Sequence, residues 1–433
     1  MGGNSKQLWE GKVKACCNES AGWGLTTVTE RQLPLIMLRL IFDEFLRRME
    51  SMRTFNLIFR ASTIALLTLV VLFGGTVRES AASVSLGDKL SLFGDFRFRY
   101  ELDFRKNAGV KTDRDRARIR ARFGFKYDWS KNVSFGMRLR TESDNNQSPH
   151  QTLGILGTAD NSQFGLDRAH IDIKFMDGGF LWLGKHGMSF WQQNEAFWDG
   201  DIQPEGAGLG YKTKLGETGS LLVQSVHTYL NDNGTSDGHG IFEDDFGDSI
   251  QAVFTGASGD LGYTLAIGAL FVTEQAGGGV PGGSGAYGII SAQLKTKISQ
   301  FPIKFGVDYL YSDYDAGEPS LTDDSSGADD DNEGFVINLA AKYKKYGFKI
   351  EYYYIQINSV PLQGALAQDD FPFSSNFRGF KFQVSRDIGK GFNVDLRAYP
   401  QSRIDNAITA PAGGYVMGID DVTRYQVNLN IKF

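Results

Sequence analysis

Arginine occupies every second position from 114 to 122: Arg114, Arg116, Arg118, Arg120 and Arg122. Guanidiniums in this spacing can pair with carboxylates or bind anions, because each is a planar fork of permanent charge. Arg97, Arg99, Arg138, Arg140, Arg168 and Lys174 continue the same phase on neighbouring segments, and His170 stands among them. The acids Glu195, Asp199, Asp201 and Glu205 fall within one segment, Trp191 to Glu205. Nucleophilic chemistry is poorly signalled. His150 follows Ser148, His239 lies near Ser236, and Gly234 to Gly238 spells Gly-x-Ser-x-Gly. That pattern has meaning only at a sharp strand-to-helix turn, and here it sits in a polar Asn/Asp/Gly-rich loop, so an enzyme is not expected. The run Gly277 to Gly285 lacks the Lys-Ser/Thr of a phosphate loop. The two cysteines, Cys16 and Cys17, precede the main body of the chain, leaving no thiolate there, and no metal site or cofactor is assigned.

The elements that carry these residues show a period of two. Even positions from 114 to 126 are Arg, Gly or Lys, while Ala117, Ile119, Ala121, Phe123, Phe125 and Tyr127 fill the odd ones. Successive strand side chains point to opposite faces, so one face is basic and the other apolar. Asp95, Arg97, Arg99 and Glu101 alternate likewise with Phe96, Phe98, Tyr100 and Leu102. Sixteen strands are predicted, near 88–103, 112–128, 131–142, 163–176, 179–190, 205–214, 219–230, 247–257, 260–273, 284–299, 301–312, 334–344, 347–357, 376–388, 391–400 and 423–433. A soluble sandwich would also alternate. Connection lengths favour a transmembrane antiparallel up-and-down β-barrel, all-β, because short turns such as Asp177-Gly178, Gly216-Glu217 and Gly259-Asp260 alternate with long loops such as 143–162, 191–204, 313–333, 358–375 and 401–422.

Composition agrees. Glycine numbers 52 of 433 residues and aromatics reach 13%, too aromatic for a disordered chain. Mean hydropathy of -0.26 excludes a multi-helix membrane protein but not a barrel. A net charge of -6 gives no basic excess for nucleic acid. Arg53 and Arg60, the apolar run Ala61 to Phe73, then Ser80-Ala81-Ala82 read as a secretory signal peptide over 52–82. Residues 1–51 are then a non-native or unstructured extension, and 83–433 a single barrel. Without residues 1–82 the chain carries 35 basic and 44 acidic residues.

Energy assigns the faces. An arginine facing lipid at mid-membrane costs about 2–4 kcal/mol, so several on one strand require a wet lumen. Arginines two positions apart, at about 7 Å, repel by about 0.6 kcal/mol in bulk water and about four times that at an effective dielectric of ~20. They therefore need acids. If the 191–205 loop folds inward, Glu195, Asp199, Asp201 and Glu205 face the basic wall across a constriction. The acid runs Asp323-Asp324, Asp329 to Asp331 and Glu243 to Asp245 read as solvated loops, drawing cations to the mouth, while the arginines favour anions inside; the narrowest point decides.

Gly94 to Glu101, Arg114 to Arg120, Leu166-Asp167-Arg168-Ala169-His170-Ile171, Gly184-Lys185 and, most closely, Phe197 to Gly206 resemble the putative porin family of Gram-negative outer membranes. His170 stands where tyrosine is more usual, and no role is built on it. The resemblance implies an outer-membrane barrel reached through a signal peptide, with a water-filled channel for passive diffusion of small hydrophilic solutes and ions. A substrate-selective anion channel is the near alternative; a structural or adhesive barrel without an open pore is the distant one. Tyr425, Val427, Leu429, Ile431 and Phe433 look like the signal read by the barrel assembly machinery. The implied surroundings are outer-membrane lipid and lipopolysaccharide, and a homotrimer is the assembly common among general porins.

Overall fold

The computed structural model describes residues 84–107, 110–142, 148–154, 163–231, 245–272, 285–298, 301–312, 333–343, 348–357, 366–373, 375–404 and 420–433. The expectations for residues 1–82, the Gly-x-Ser-x-Gly run, the Gly-rich run and most of the acidic loop runs lie outside these residues.

The strands are β1 (Val84–Leu86), β2 (Leu90–Asn107), β3 (Val110–Lys111), β4 (Arg114–Asp128), β5 (Val133–Thr141), β6 (Gln151–Thr152), β7 (Phe164–Lys174), β8 (Gly179–Lys185), β9 (Glu205–Leu215) and β10 (Gly219–Asn231). They continue as β11 (Asp245–Ser258), β12 (Leu261–Val272), β13 (Gly285–Ile298), β14 (Phe301–Ser312), β15 (Glu333–Tyr343), β16 (Phe348–Ile357), β17 (Phe377–Gly389), β18 (Phe392–Arg403) and β19 (Asp421–Lys432). β1, β3 and β6 are two or three residues long. The other sixteen form the wall, each antiparallel to its neighbours in sequence, and β19 pairs with β2 to close the ring. Closure leaves no unpaired edge, which a membrane demands of a sheet.

The alternation predicted from sequence is realised as two different faces. Phe96, Phe123, Leu166, Ile171, Leu209, Ile250, Ile267 and Leu339 are exposed on the outside, while Arg99, Glu101, Gln251, Asp308 and Asn338 are buried within. Exposed apolar residues all round a closed sheet suit a lipid-facing belt. At the short turn after β7, Gly178 has φ +85°, and a Cβ there would collide with the Lys212 carbonyl. β8 ends at Lys185, short of the predicted 190. From His186 the backbone leaves the wall, although the sequence keeps its apolar residues, because that stretch packs into the lumen.

The end of the chain is stitched into the seam. Gly94 N–H donates to the Phe433 carbonyl at 3.0 Å, and Phe433 N–H donates to Gly94 at 3.1 Å. A Cβ at Gly94 would stand 2.6 Å from Phe433 Cζ, so glycine makes room for the ring. Of the other residues read as an assembly signal, Tyr425 packs edge-on against Phe104 at 5.9 Å, and Ile431 is exposed outside.

Candidate functional site: an arginine ladder faced by inward loops

The ladder follows from strand register. β2 and β4 oppose Asp95 with Arg122, Arg97 with Arg120, Arg99 with Arg118, Glu101 with Arg116, and Asp103 with Arg114. Three rungs are acid against base. The other two set arginine against arginine, which is unfavourable for directly opposed side chains. β19 relieves them: Arg97 Nε donates to Asn430 Oδ1 at 2.6 Å and Arg99 Nε to Asn428 Oδ1 at 2.7 Å. Arg114 pairs with Asp103 at 2.5 Å, Arg116 Nε donates to Glu101 at 2.6 Å, and Arg120 and Arg122 share Asp95 at 2.7 Å each. Arg138 pairs with Asp167, and Arg140 lies 3.6 Å from the same carboxylate. Arg424 of β19 and Arg397 of β18 extend the ladder, pairing with Asp103 at 2.8 Å and Asp395 at 2.7 Å.

Among the described residues, Arg97, Arg118 and Arg168 hydrogen-bond to neutral partners and form no salt bridge. Arg97 lies against Asn430 and the His150 ring; Arg118 donates to Ser148 Oγ at 3.1 Å and the His150 carbonyl at 2.8 Å; Arg168 donates to Gln203 Oε1 at 2.7 Å. Lys174 is exposed near the β7–β8 turn, apart from the ladder.

Three inward segments meet this wall. In the first, Ser148 and His150 are each 1% exposed, with Ser148 Oγ 3.4 Å from His150 Nδ1. Burial, then Arg99, Arg97, Arg120 and Arg118, holds the imidazole well below its usual range. A serine and histidine this enclosed leave no room for a substrate, so the pair does not make a nucleophile.

The second segment is 186–204. Its acids do not act together. Asp201 reaches the ladder, pairing with Arg122 at 2.7 Å and Arg120 at 3.5 Å. Asp199 is 1% exposed and turns to backbone, accepting from Asp201 N–H at 2.8 Å and Asp369 N–H at 3.0 Å. Burial, then the carboxylates of Asp369 and Asp201, pushes the Asp199 carboxyl well above its usual range despite those two donors. Glu195 accepts from Gln368, and Glu205, first residue of β9, pairs with Lys185 of β8 at 2.6 Å on an exposed edge. The far end of the segment reaches the opposite wall: Gln193 Nε2 donates to Asp308 at 2.8 Å, Lys304 Nζ to the Gln193 carbonyl at 3.0 Å, and Trp191 N–H to Gln251 at 2.8 Å.

The third segment, 366–376, reads in the sequence as part of a long external loop. Asp370 is its anchor. The carboxylate accepts from Arg99, from Arg397 Nη1 at 2.7 Å and from Gln426 Nε2 at 3.0 Å, tying the segment to β2, β18 and β19. Burial would raise the Asp370 carboxyl; Arg99 and Arg397 overcome it and hold the carboxyl well below the usual range. Phe371 and Phe373 join Ala196 and Phe197 in an apolar cluster with Val336, Ile355, Ile357, Phe377 and Tyr399. The inward segments thus dock on the ionic wall through Asp201 and Asp370 and pack their apolar residues into a separate cluster.

One further group has ligand chemistry. His170 and Asp172 of β7 converge with His186, just beyond β8, their candidate ligand atoms all within 4.8 Å. Sequence reasoning missed it. His170 and Asp172 share a face by spacing, but His186 joins them only through the β7–β8 pairing.

Residues 105–230 match the model of a family described as a putative porin. Among solved structures, OprB of Pseudomonas putida is similar at 12% identity and a TM-score of 0.50, over 80% of this chain and 94% of that one. OmpF of Salmonella typhi, in complex with daunomycin, gives 13% and 0.48 over 81% and 100%. The outer membrane channel DcaP of Acinetobacter baumannii gives 13% and 0.46 over 81% and 100%. The likeness to OprB is one of fold. No curated protein matches the chain.

Proposed function

We propose that this chain is a porin-type channel of the outer membrane, exported by its signal peptide, that passes small hydrophilic solutes and ions by passive diffusion and favours anions at its narrowest part. The anion preference rests on one observation. Among the described residues Arg97, Arg118 and Arg168 hydrogen-bond to neutral groups and form no salt bridge, so their charge is less fully offset than that of the paired arginines beside them. For an ion passing at roughly 8 Å, one such charge is worth about 0.5 kcal/mol even at the dielectric of water, or about twofold in permeability. The paired arginines brace the wall, and Asp201 fixes the 186–204 segment to it. Lipid and lipopolysaccharide around the outer belt, and a homotrimer, belong to the same reading.

A barrel without an open pore is the second reading, favoured by the apolar cluster that occupies part of the lumen. Single-channel recording of the refolded chain under a KCl gradient separates the two. Open steps with an anion-selective reversal potential are expected. Arg97→Gln with Arg168→Gln should cut the anion preference about fourfold, following the twofold-per-charge estimate. Folded protein without steps sinks the channel; an unmoved reversal potential sinks the role of the unpaired arginines.

A further inference from the structure

We propose that His170, Asp172 and His186 form a binding site for one late first-row divalent transition-metal ion, with Zn²⁺ as the representative case. The geometry points there first. Asp172 Oδ1 lies 3.3 Å from His186 Nε2, and Asp172 Oδ2 lies 3.5 Å from His170 Nε2. Zinc bonds imidazole nitrogen and carboxylate oxygen at about 2.0–2.2 Å in a tetrahedron. Ligand atoms of such a tetrahedron stand ~3.3–3.6 Å apart, which is simple trigonometry on those bond lengths. Each histidine thus stands at ligand spacing from one oxygen of the carboxylate, and with the whole set within 4.8 Å the side chains close on an ion by drawing together by about an ångström.

Proton placement supports the same assignment. His186 Nδ1 lies 2.6 Å from the Gly187 carbonyl, an acceptor, so Nδ1 carries hydrogen and donates to it. In the neutral ring Nε2 then holds a lone pair, and it faces the carboxylate of Asp172. Two electron-rich atoms at this separation call for a cation between them, either a proton or a metal. A metal-ligating histidine ordinarily donates its other nitrogen to a carbonyl or carboxylate in this way.

The surroundings fix the rings. Trp182, 2% exposed, stacks on His186 at 4.8 Å between centroids and 15° between planes. The His170 ring meets His186 edge-on at 4.3 Å. A Cβ at Gly136 would lie 2.6 Å from His170 Nε2, so this glycine clears the place where the ring sits. Ser134 Oγ donates to Asp172 Oδ2 at 3.4 Å. The three side chains are partly exposed, His170 at 13%, His186 at 22% and Asp172 at 35%, so an ion can enter and a water can fill the fourth position. Two nitrogens and one oxygen suit zinc or copper and disfavour calcium or magnesium, which take oxygen ligands. Arg168, one turn of the pleat away, opposes any cation and moderates the affinity, yet its guanidinium is turned to Gln203.

Calorimetric titration of ZnCl₂ into folded, EDTA-stripped full-length chain tests this. One equivalent per chain is expected, with Ca²⁺ unable to displace it. His186→Gln and Asp172→Asn should each weaken binding at least tenfold, the scale that loss of even an orienting partner produces. Absence of saturable Zn²⁺ uptake by the folded chain overturns the proposal. So does uptake that both variants retain, which would place the ion on the acidic loops. If a variant fails to fold, diethylpyrocarbonate labelling of the unaltered chain decides: Zn²⁺ should protect His170 and His186, and equal labelling with and without Zn²⁺ overturns the site. None of these readouts depends on conductance.

Discussion

Replacing Asp370 with Asn is expected to release the 366–376 segment while leaving the barrel closed. The carboxylate is 4% exposed as a residue and satisfies Arg99, Arg397 and Gln426 at once. Arg99 is wholly buried and, among the described residues, would be left with Asn428 and with Glu101 at 3.9 Å. Breaking a buried ion pair by removing one partner costs about 3–5 kcal/mol, because the remaining charge is left uncompensated. The docked segment has other anchors: Arg424 Nη1 donates to the carbonyls of Asp369 and Asp370 at 3.1 and 3.0 Å, and Phe371 and Phe373 are buried. These persist in the variant, and a cost of that size borne by the docked state shifts the docking equilibrium by a factor of about 10² to 5 × 10³. The Asp370 carboxylate bridges Arg99 of β2 and Gln426 of β19, but the backbone pairing of these strands does not depend on it and should persist. Limited proteolysis of the folded protein in detergent should therefore cut near 366–376 much faster in the variant, and single-channel records should show larger or noisier steps. A variant with the cleavage pattern and conductance of the parent would refute the assignment of Asp370 as the anchor.

Acidity should tighten the same loops. Burial and neighbouring carboxylates raise Asp199 and Asp369 in the docked state, so their contribution to docking is full below the ordinary Asp value of about 3.9 and is lost as pH rises through the raised values. Asp370 is depressed and acts oppositely, contributing above about 3.9 and losing its hold only at more acid pH. Between pH ~4 and neutrality, conductance should rise with pH, and Asp199→Asn should flatten the curve; a parent curve already flat would contradict the Asp199–Asp369 contact. At the seam, Gly94→Leu places side-chain atoms where the Phe433 ring sits and should lower the yield of folded, heat-modifiable barrel severalfold, whereas Ser91→Ala should not. Equal yields would show that the Phe433 ring is not fixed there.

The strands were legible because their signal is local. Alternation from 114 to 127, or from 95 to 102, needs only the pleat to be turned into two faces. The turn glycines and Asp-Gly pairs marked the short connections. The end of β8 was not legible: Met188 and Phe190 keep the even phase of Phe180 and Trp182, and only contacts with β11 and β14 draw the chain inward from His186. The role of 366–376 was hidden for the same reason, although Phe371 and Phe373 beside Asp369-Asp370 were a cue, since apolar residues in an external loop need something to pack against. The separation of Glu195, Asp199, Asp201 and Glu205 onto four different partners could not be read from spacing either. Side chains in an irregular segment have no period to fix their directions.

The pairing of β2 with β19 joins residues more than three hundred positions apart, as in the Arg424–Asp103 contact with its separation of 321. Bringing such distant segments together from an open chain costs about 5 kcal/mol of loop-closure entropy, against about 1 kcal/mol for a four-residue hairpin. Hairpins across the short turns can therefore zip early and in any order, while the seam must wait until the intervening strands have shortened the effective loop. Until then β2 and β19 are both open edges, able to recruit each other or a strand from another molecule. The double backbone hydrogen bond between Gly94 and Phe433 is the step that ends this vulnerability.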